Sequence, residues 1–133
     1  MCACTRRAFV FGAAATAAFA PPARAATTED FIDAAFSMRE QAIDAGEAPY
    51  GAVVVRAGVI VGRGAARIRD RGFLGHAERM AMREAQERFG GEDLADCVIY
   101  STSRPCESCR RAAAHAKISR MYFGIDGADG GKP

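Results

Sequence analysis

No stretch of the chain is long and apolar enough to span a bilayer, which takes about 20 consecutive residues; the Ala-rich run from Phe9 to Ala20 falls well short. No internal repeat is visible either, which sets aside solenoids and repeat arrays. Charge of one sign is not in excess: 18 basic residues face 16 acidic ones, for a formal net charge of +2. Histidine is scarce, with only His76 and His115 to supply imidazole chemistry. What is present is the mixture of an ordinary globular chain, 133 residues with 50% hydrophobic and 26% charged side chains, so one core is expected.

The first 25 residues do not read as part of that core. MCACTRRAFVFGAAATAAFAPPARA has a basic start, an apolar run, a Pro21-Pro22 break and a small-residue site at Ala23-Arg24-Ala25, the layout of a secretory signal. Thr5 to Val10, with the Arg6-Arg7 pair followed by apolar residues, resemble the twin-arginine export signal. The expected organisation is a twin-arginine-type signal peptide over 1–25 and one mature domain over 26–133, periplasmic or secreted and free of the membrane once the signal is gone. Cleavage would remove Arg6, Arg7 and Arg24, leaving 15 basic residues against 16 acidic ones, a charge of −1 that weighs against nucleic acid as a partner. Cys97, Cys106 and Cys109 would remain, an odd number and a poor basis for a disulfide framework.

Within 26–133, Thr27 or Thr28 can cap a helix over about 28–45, with Phe31, Ala34, Ala35, Met38 and Ala42 on one face and Gly46 as its stop. Two β-branched runs, Ala52 to Arg56 and Val59 to Gly64, flank an Ala57-Gly58 turn and predict a hairpin. Residues 65–75, AARIRDRGFLG, have no settled period and read as a loop whose arginines are solvated or form a rim for an anionic or polar ligand. A helix from His76 to Phe89 stops at Gly90-Gly91; DCVIYSTS reads as a strand, Cys106 to Lys117 as a third helix, and Arg120 to Gly124 as a last strand. Strands separated by helices predict a layered α/β domain whose later strands are parallel.

The chemistry concentrates at two helix starts. Cys106 and Cys109 alone leave two readings open, a thiol redox pair or two metal ligands, because both uses share the spacing. Three residues apart, the two sulfurs face the same way on a helical turn and can share one ion. His76 opens the preceding helix, and two thiolates with one imidazole leave one tetrahedral position for water, the pattern of a catalytic zinc. Glu78, two residues on, can stand over that water as the proton-transfer group without ligating the metal. The redox reading gives His76 and Glu78 no task. His115, late in its helix, suits charge complementarity at a C-terminus better than ligation, and Cys97 reads as a small buried hydrophobe.

His76-Ala77-Glu78 followed by Pro105-Cys106-Glu107-Ser108-Cys109 resembles the zinc-dependent cytidine and nucleobase deaminase superfamily, including its tRNA adenosine and guanine deaminases. Ala48 to Val53 and Met121 to Gly124 extend the likeness over nearly all of 26–133. The resemblance implies a three-layer α/β/α sandwich with a mixed central sheet, a Zn2+ cofactor held by His76, Cys106 and Cys109, Glu78 as catalytic residue, and hydrolytic release of ammonia from a nucleobase or nucleoside. It also implies a homodimer. Two positions depart from the family's pattern: Ala66 stands where relatives commonly place a substrate-binding asparagine, and Arg104 where many have glutamate before the Pro-Cys. These departures keep a second reading open, a zinc-binding protein of the same fold without turnover. The family's closing helices have no counterpart after Ile125, where the sequence reads only DGADGGKP.

Overall fold

A computed structural model describes residues 23–133; the signal read over 1–25 lies, up to residue 22, outside the described residues. The expected first helix forms over Thr28–Asp44 (α1). Thr27 caps it: its side chain accepts from the Asp30 N–H while the Asp30 carboxylate accepts from the Thr27 N–H, so two donors that the helix leaves unpaired are satisfied. The hairpin forms over Gly51–Arg56 (β1) and Val59–Ala65 (β2), and positive φ angles at Ala57 (49°) and Gly58 (76°) give the turn the twist that antiparallel strands require.

The segment read as loop is tighter than expected. It holds a single helical turn, Ile68–Arg71 (α2), and a 3-10 turn, Gly72–Gly75, and is closed where the Arg67 N–H donates to the Gly75 carbonyl. Then follow Ala77–Phe89 (α3), Cys97–Ser101 (β3), Glu107–His115 (α4), Arg120–Phe123 (β4) and a strand that composition did not suggest, Ala128–Gly131 (β5). The five strands make one mixed sheet in the order β2-β1-β3-β4-β5, parallel only between β3 and β4.

Helices cover both faces, which gives the expected three-layer α/β/α sandwich. Alternation along β1 shows the division: Val53 and Val55 face Phe31, Ile32, Ala35 and Met38 of α1, whereas Ala52 and Val54 join Ala81, Ala85, Ile99, Ala113 and Met121 on the side of α3 and α4. A strand buried on both faces reads as a continuous apolar run, as this one does. Each fully buried Val, Ile or Met contributes roughly 1.5–3 kcal/mol, and the sheet centre, with Val53, Val54, Ile99 and Met121 at 0% exposure, is where that gain concentrates. On β2 the fit is closer still. A Cβ built on Gly64 would lie 2.0 Å from the Ala77 carbonyl oxygen and one on Gly62 2.1 Å from that of Ala81, so α3 rests directly on strand backbone.

Candidate metal centre and active site

That close seat fixes where α3 begins. His76 is its N-cap in extended conformation, and the His76 carbonyl accepts the first helical bond from the Met80 N–H while the imidazole makes no capping bond. Cys106 holds the same position at the start of α4, with Arg110 donating to its carbonyl, and Cys109 lies one turn inside. The connection from β3 into α4 is pinned by the Gly51 and Thr102 backbones, by the Gly51 N–H to the Thr102 hydroxyl, and by the Ser101 hydroxyl to the Ser103 carbonyl. Both chemical residues thus sit at helix N-termini, where unpaired N–H groups and the dipole favour negative charge.

The three candidate ligands converge. His76 Nδ1 is 3.6 Å from Cys106 Sγ and 3.4 Å from Cys109 Sγ, and all three ligand atoms lie within 4.8 Å of one another. A tetrahedral zinc with Zn–S near 2.3 Å and Zn–N near 2.0–2.1 Å sets N···S separations of about 3.6 Å, so the donor set fits that ion in kind and in spacing. Charge points the same way. Burial, with the Glu78 carboxylate beside it, pushes the Cys109 thiol far above its ordinary range, so a thiolate there calls for a cation. Burial also opposes ionisation of Cys106, but donors from Ser108 and Cys109 outweigh it and bring that thiol down.

Glu78 is 6% exposed. Burial raises its pKa, and its own backbone N–H, Cys109, His76 and Ser101 pull it part of the way back. It shares with His76 and Cys106 the wall of a cavity of about 400 Å3, completed by Tyr50, Ile68, Ala77, Ser103 and Arg104. Arg104, whose guanidinium carbon lies 5.7 Å from the centroid of the Phe123 ring, forms part of that wall. Ala66 is 1% exposed, packs in the core beneath the Tyr50 carbonyl and does not line the cavity.

His76, Glu78, Cys106 and Cys109, named from the sequence, are brought together at one place; His115 and Cys97 are not, the first being exposed near Glu92 and the second 0% exposed in the core. Tyr50 falls in the Ala48–Val53 stretch that carries the family resemblance, whereas Ile68 and Ser103 escaped sequence reasoning as cavity walls because neither lies in a segment with a periodic signal. So did Arg79. Its guanidinium lies 4.2 Å over the Phe73 ring and donates to the Ser108 carbonyl at 3.0 Å.

A layered α/β domain with a His/Cys/Cys group at two helix starts defines a metal-site domain. The family model for the cytidine and deoxycytidylate deaminase zinc-binding region matches residues 25–125, and the chain belongs to that family. Its cofactor is zinc. Among curated proteins, the chain is 34% identical over 102 residues to the tRNA-specific adenosine deaminase of Agrobacterium fabrum, covering 76% of this chain and 67% of that protein. It is 41% identical over 92 residues to the tRNA(Ile)-lysidine synthase of Deinococcus radiodurans, covering 68% of this chain but only 16% of that protein. A solved structure from work on A-to-I editing by tRNA:A34 deaminases superposes with a TM-score of 0.68 at 35% identity, covering 71% of this chain and 69% of the other. Guanine deaminase from Bacillus subtilis does so with 0.69 at 29% identity, covering 74% and 64%.

These relatives correct one expectation. Periplasmic or secreted placement through a twin-arginine signal does not stand, because the curated relatives are named for tRNA, a molecule of the cell interior. The charge of −1 that weighed against nucleic acid depended on cleavage of that signal, so that argument falls with it. Among the described residues, no helix is long and apolar enough to cross a membrane.

Proposed function

We propose that this domain is a hydrolytic deaminase of an amino-substituted nucleobase, free, in a nucleoside or within tRNA, in which His76, Cys106 and Cys109 hold zinc and Glu78 moves the proton. One observation carries the reading: Nδ1 of His76 lies 3.4 and 3.6 Å from two thiol sulfurs beside a buried carboxyl on the wall of one cavity. The metal, when bound, supplies the Lewis acidity that makes water nucleophilic at neutral pH. Glu78 takes a proton from that water and returns it to the departing amino nitrogen, so C–N is exchanged for C–O and ammonia leaves. Burial supports the first half of this role, since a raised carboxyl pKa makes Glu78 a stronger base for the proton it takes up. Tyr50 and Ile68 offer the base an apolar flank, and Arg104 offers a cation to any anionic group it carries.

The tRNA form of the proposal draws on the relatives' names, and the small-molecule form on the guanine deaminase likeness. Exposed Phe73 (54%) and Leu74 (61%) beside the site suit the homodimer that the resemblance implies. The test is ammonia release by zinc-loaded protein from nucleobases, nucleosides, nucleoside 5′-phosphates and anticodon stem-loop RNA, with Glu78→Gln as control. Buried, apolar Ala66 favours a second reading, a zinc-binding protein of this fold without turnover. Stoichiometric zinc and ligand binding with no ammonia from any arm of the screen would select it.

A further inference from the structure

We propose that Arg79 is a positioning residue for the metal centre, the strut that holds the histidine-bearing start of α3 at a fixed distance from the cysteine-bearing start of α4. This rests on the reading that His76, Cys106 and Cys109 hold zinc. The ligands come from segments thirty positions apart, and neither helix start determines the other's place. Among the described residues, and outside the contacts that the ligand atoms make with one another and with Glu78, the side-chain hydrogen bond joining α3 to α4 runs from Arg79 Nη2 to the Ser108 carbonyl at 3.0 Å. Ser108 lies between Cys106 and Cys109, so the bond grips the turn that presents both sulfurs.

The other side of the same guanidinium is held as well. Its carbon lies 4.2 Å over the Phe73 ring, and Phe73 meets the His76 ring edge-on with centroids 6.3 Å apart. One planar cation therefore contacts the cysteine turn directly and braces the aromatic that flanks the histidine. A planar fork suits this task, since it can stack on a ring while donating in its own plane. Arg79 Nε is buried with no hydrogen-bond partner among the described residues, so the side chain holds its place at a desolvation cost that the two contacts must outweigh. Phe73 itself is 54% exposed, which a side chain serving only the core would not be. A ligand set kept at its bonded spacing loses little on taking up metal, and outer partners of this kind change metal affinity about 10–100-fold.

The test compares the full chain with Arg79→Ala, Arg79→Lys and Phe73→Leu. Zinc affinity is measured by competition with a chromophoric chelator, and site geometry by the visible bands of the cobalt(II)-substituted protein. Arg79→Ala should weaken zinc about 10–100-fold and shift the cobalt bands. Arg79→Lys, which can still donate to the Ser108 carbonyl, should recover part of the loss. Phe73→Leu should weaken zinc by a smaller factor and have no added effect in an Arg79→Ala background. Metal-free melting temperatures should stay together while zinc-loaded ones separate. Zinc affinity within twofold of the parent and unchanged cobalt bands in Arg79→Ala would overturn the inference, as would equal losses in the metal-free and loaded forms. Should Arg79→Ala not fold, the lysine and Phe73→Leu arms decide by the same criteria. Failure of the parent chain to bind one zinc would instead overturn the ligand assignment.

Discussion

Glu78 is a carboxyl group with 6% exposure in the first turn of α3, and proteins rarely bury glutamate without pairing or using it. Burial raises its pKa, and the helix start and the Cys109 and Ser101 contacts moderate the rise. Glutamine keeps the shape and removes the proton-transfer capacity. Glu78→Gln should therefore keep one zinc per chain while ammonia release falls about 100-fold or more, read by metal analysis beside a coupled ammonia assay; unchanged turnover would dismiss the carboxylate's role. His76, Glu78, Cys106 and Cys109 were legible in the sequence because their chemistry is written at short spacing: two sulfurs three positions apart, a carboxylate two from an imidazole. Arg79, Phe73 and Ser108 were not, because their meeting depends on how α3 and α4 pack. Arg104 lies between these cases. It was visible as a departure from the family's pattern, and only the structure sets it over Phe123 on the cavity wall.

Elements carry the site through their seating. Because α3 rests on the bare backbone of β2, Gly64→Ala forces a methyl group to within 2.0 Å of the Ala77 carbonyl, directly beside His76 and Glu78. Overpacking of this kind costs about 1–3 kcal/mol, and here it also displaces the helix start. The expected result is a lower urea midpoint together with weakened zinc binding, whereas an exposed site such as Gly91, with open space around its Cβ, should show neither. At α1, Thr27→Ala should cost about 1 kcal/mol, as loss of an N-cap does. The cap is also pH-dependent: Arg24, then the Thr27 N–H, lower the Asp30 pKa from 3.8 to about 2. A depressed carboxyl stabilises the fold above its ordinary value and loses that contribution as pH falls through the folded one, so the gap between parent and Asp30→Asn stabilities should close between about pH 4 and 2. Periodicity made α1, α3 and the hairpin legible. It missed β5, where Ala-Asp-Gly-Gly has little strand propensity of its own and pairing is imposed by the Arg120–Asp129 ion pair and by Arg110 donating to the Gly130 and Lys132 carbonyls.

Over the whole molecule, two apolar clusters on opposite faces of one sheet set the fold, and the metal group lies where one cluster ends and the cavity begins. The candidate ligands His76, Cys106 and Cys109 join the starts of α3 and α4, which the Arg79 bond also links. A metal held there would do for two packed helices what a cross-link does, and its binding energy would become folding energy because the unfolded chain does not hold the ligands together. A site whose free zinc stands at a hundred times its dissociation constant adds about 2.7 kcal/mol, and each kcal/mol moves the melting temperature of a small domain by about 4–8 °C. Chelation should thus lower the melting temperature by about 10 °C or more, reversibly on adding zinc, in a scan followed by circular dichroism. The loss should not be spread evenly. Hydrogen exchange should accelerate first at the starts of α3 and α4, while Val53, Val54 and Ile99, at 0% exposure in the sheet centre, keep their protection. Uniform acceleration across the sheet would mean that zinc holds up the core itself, and no change at either helix start would mean that the two helices need no metal to stay together.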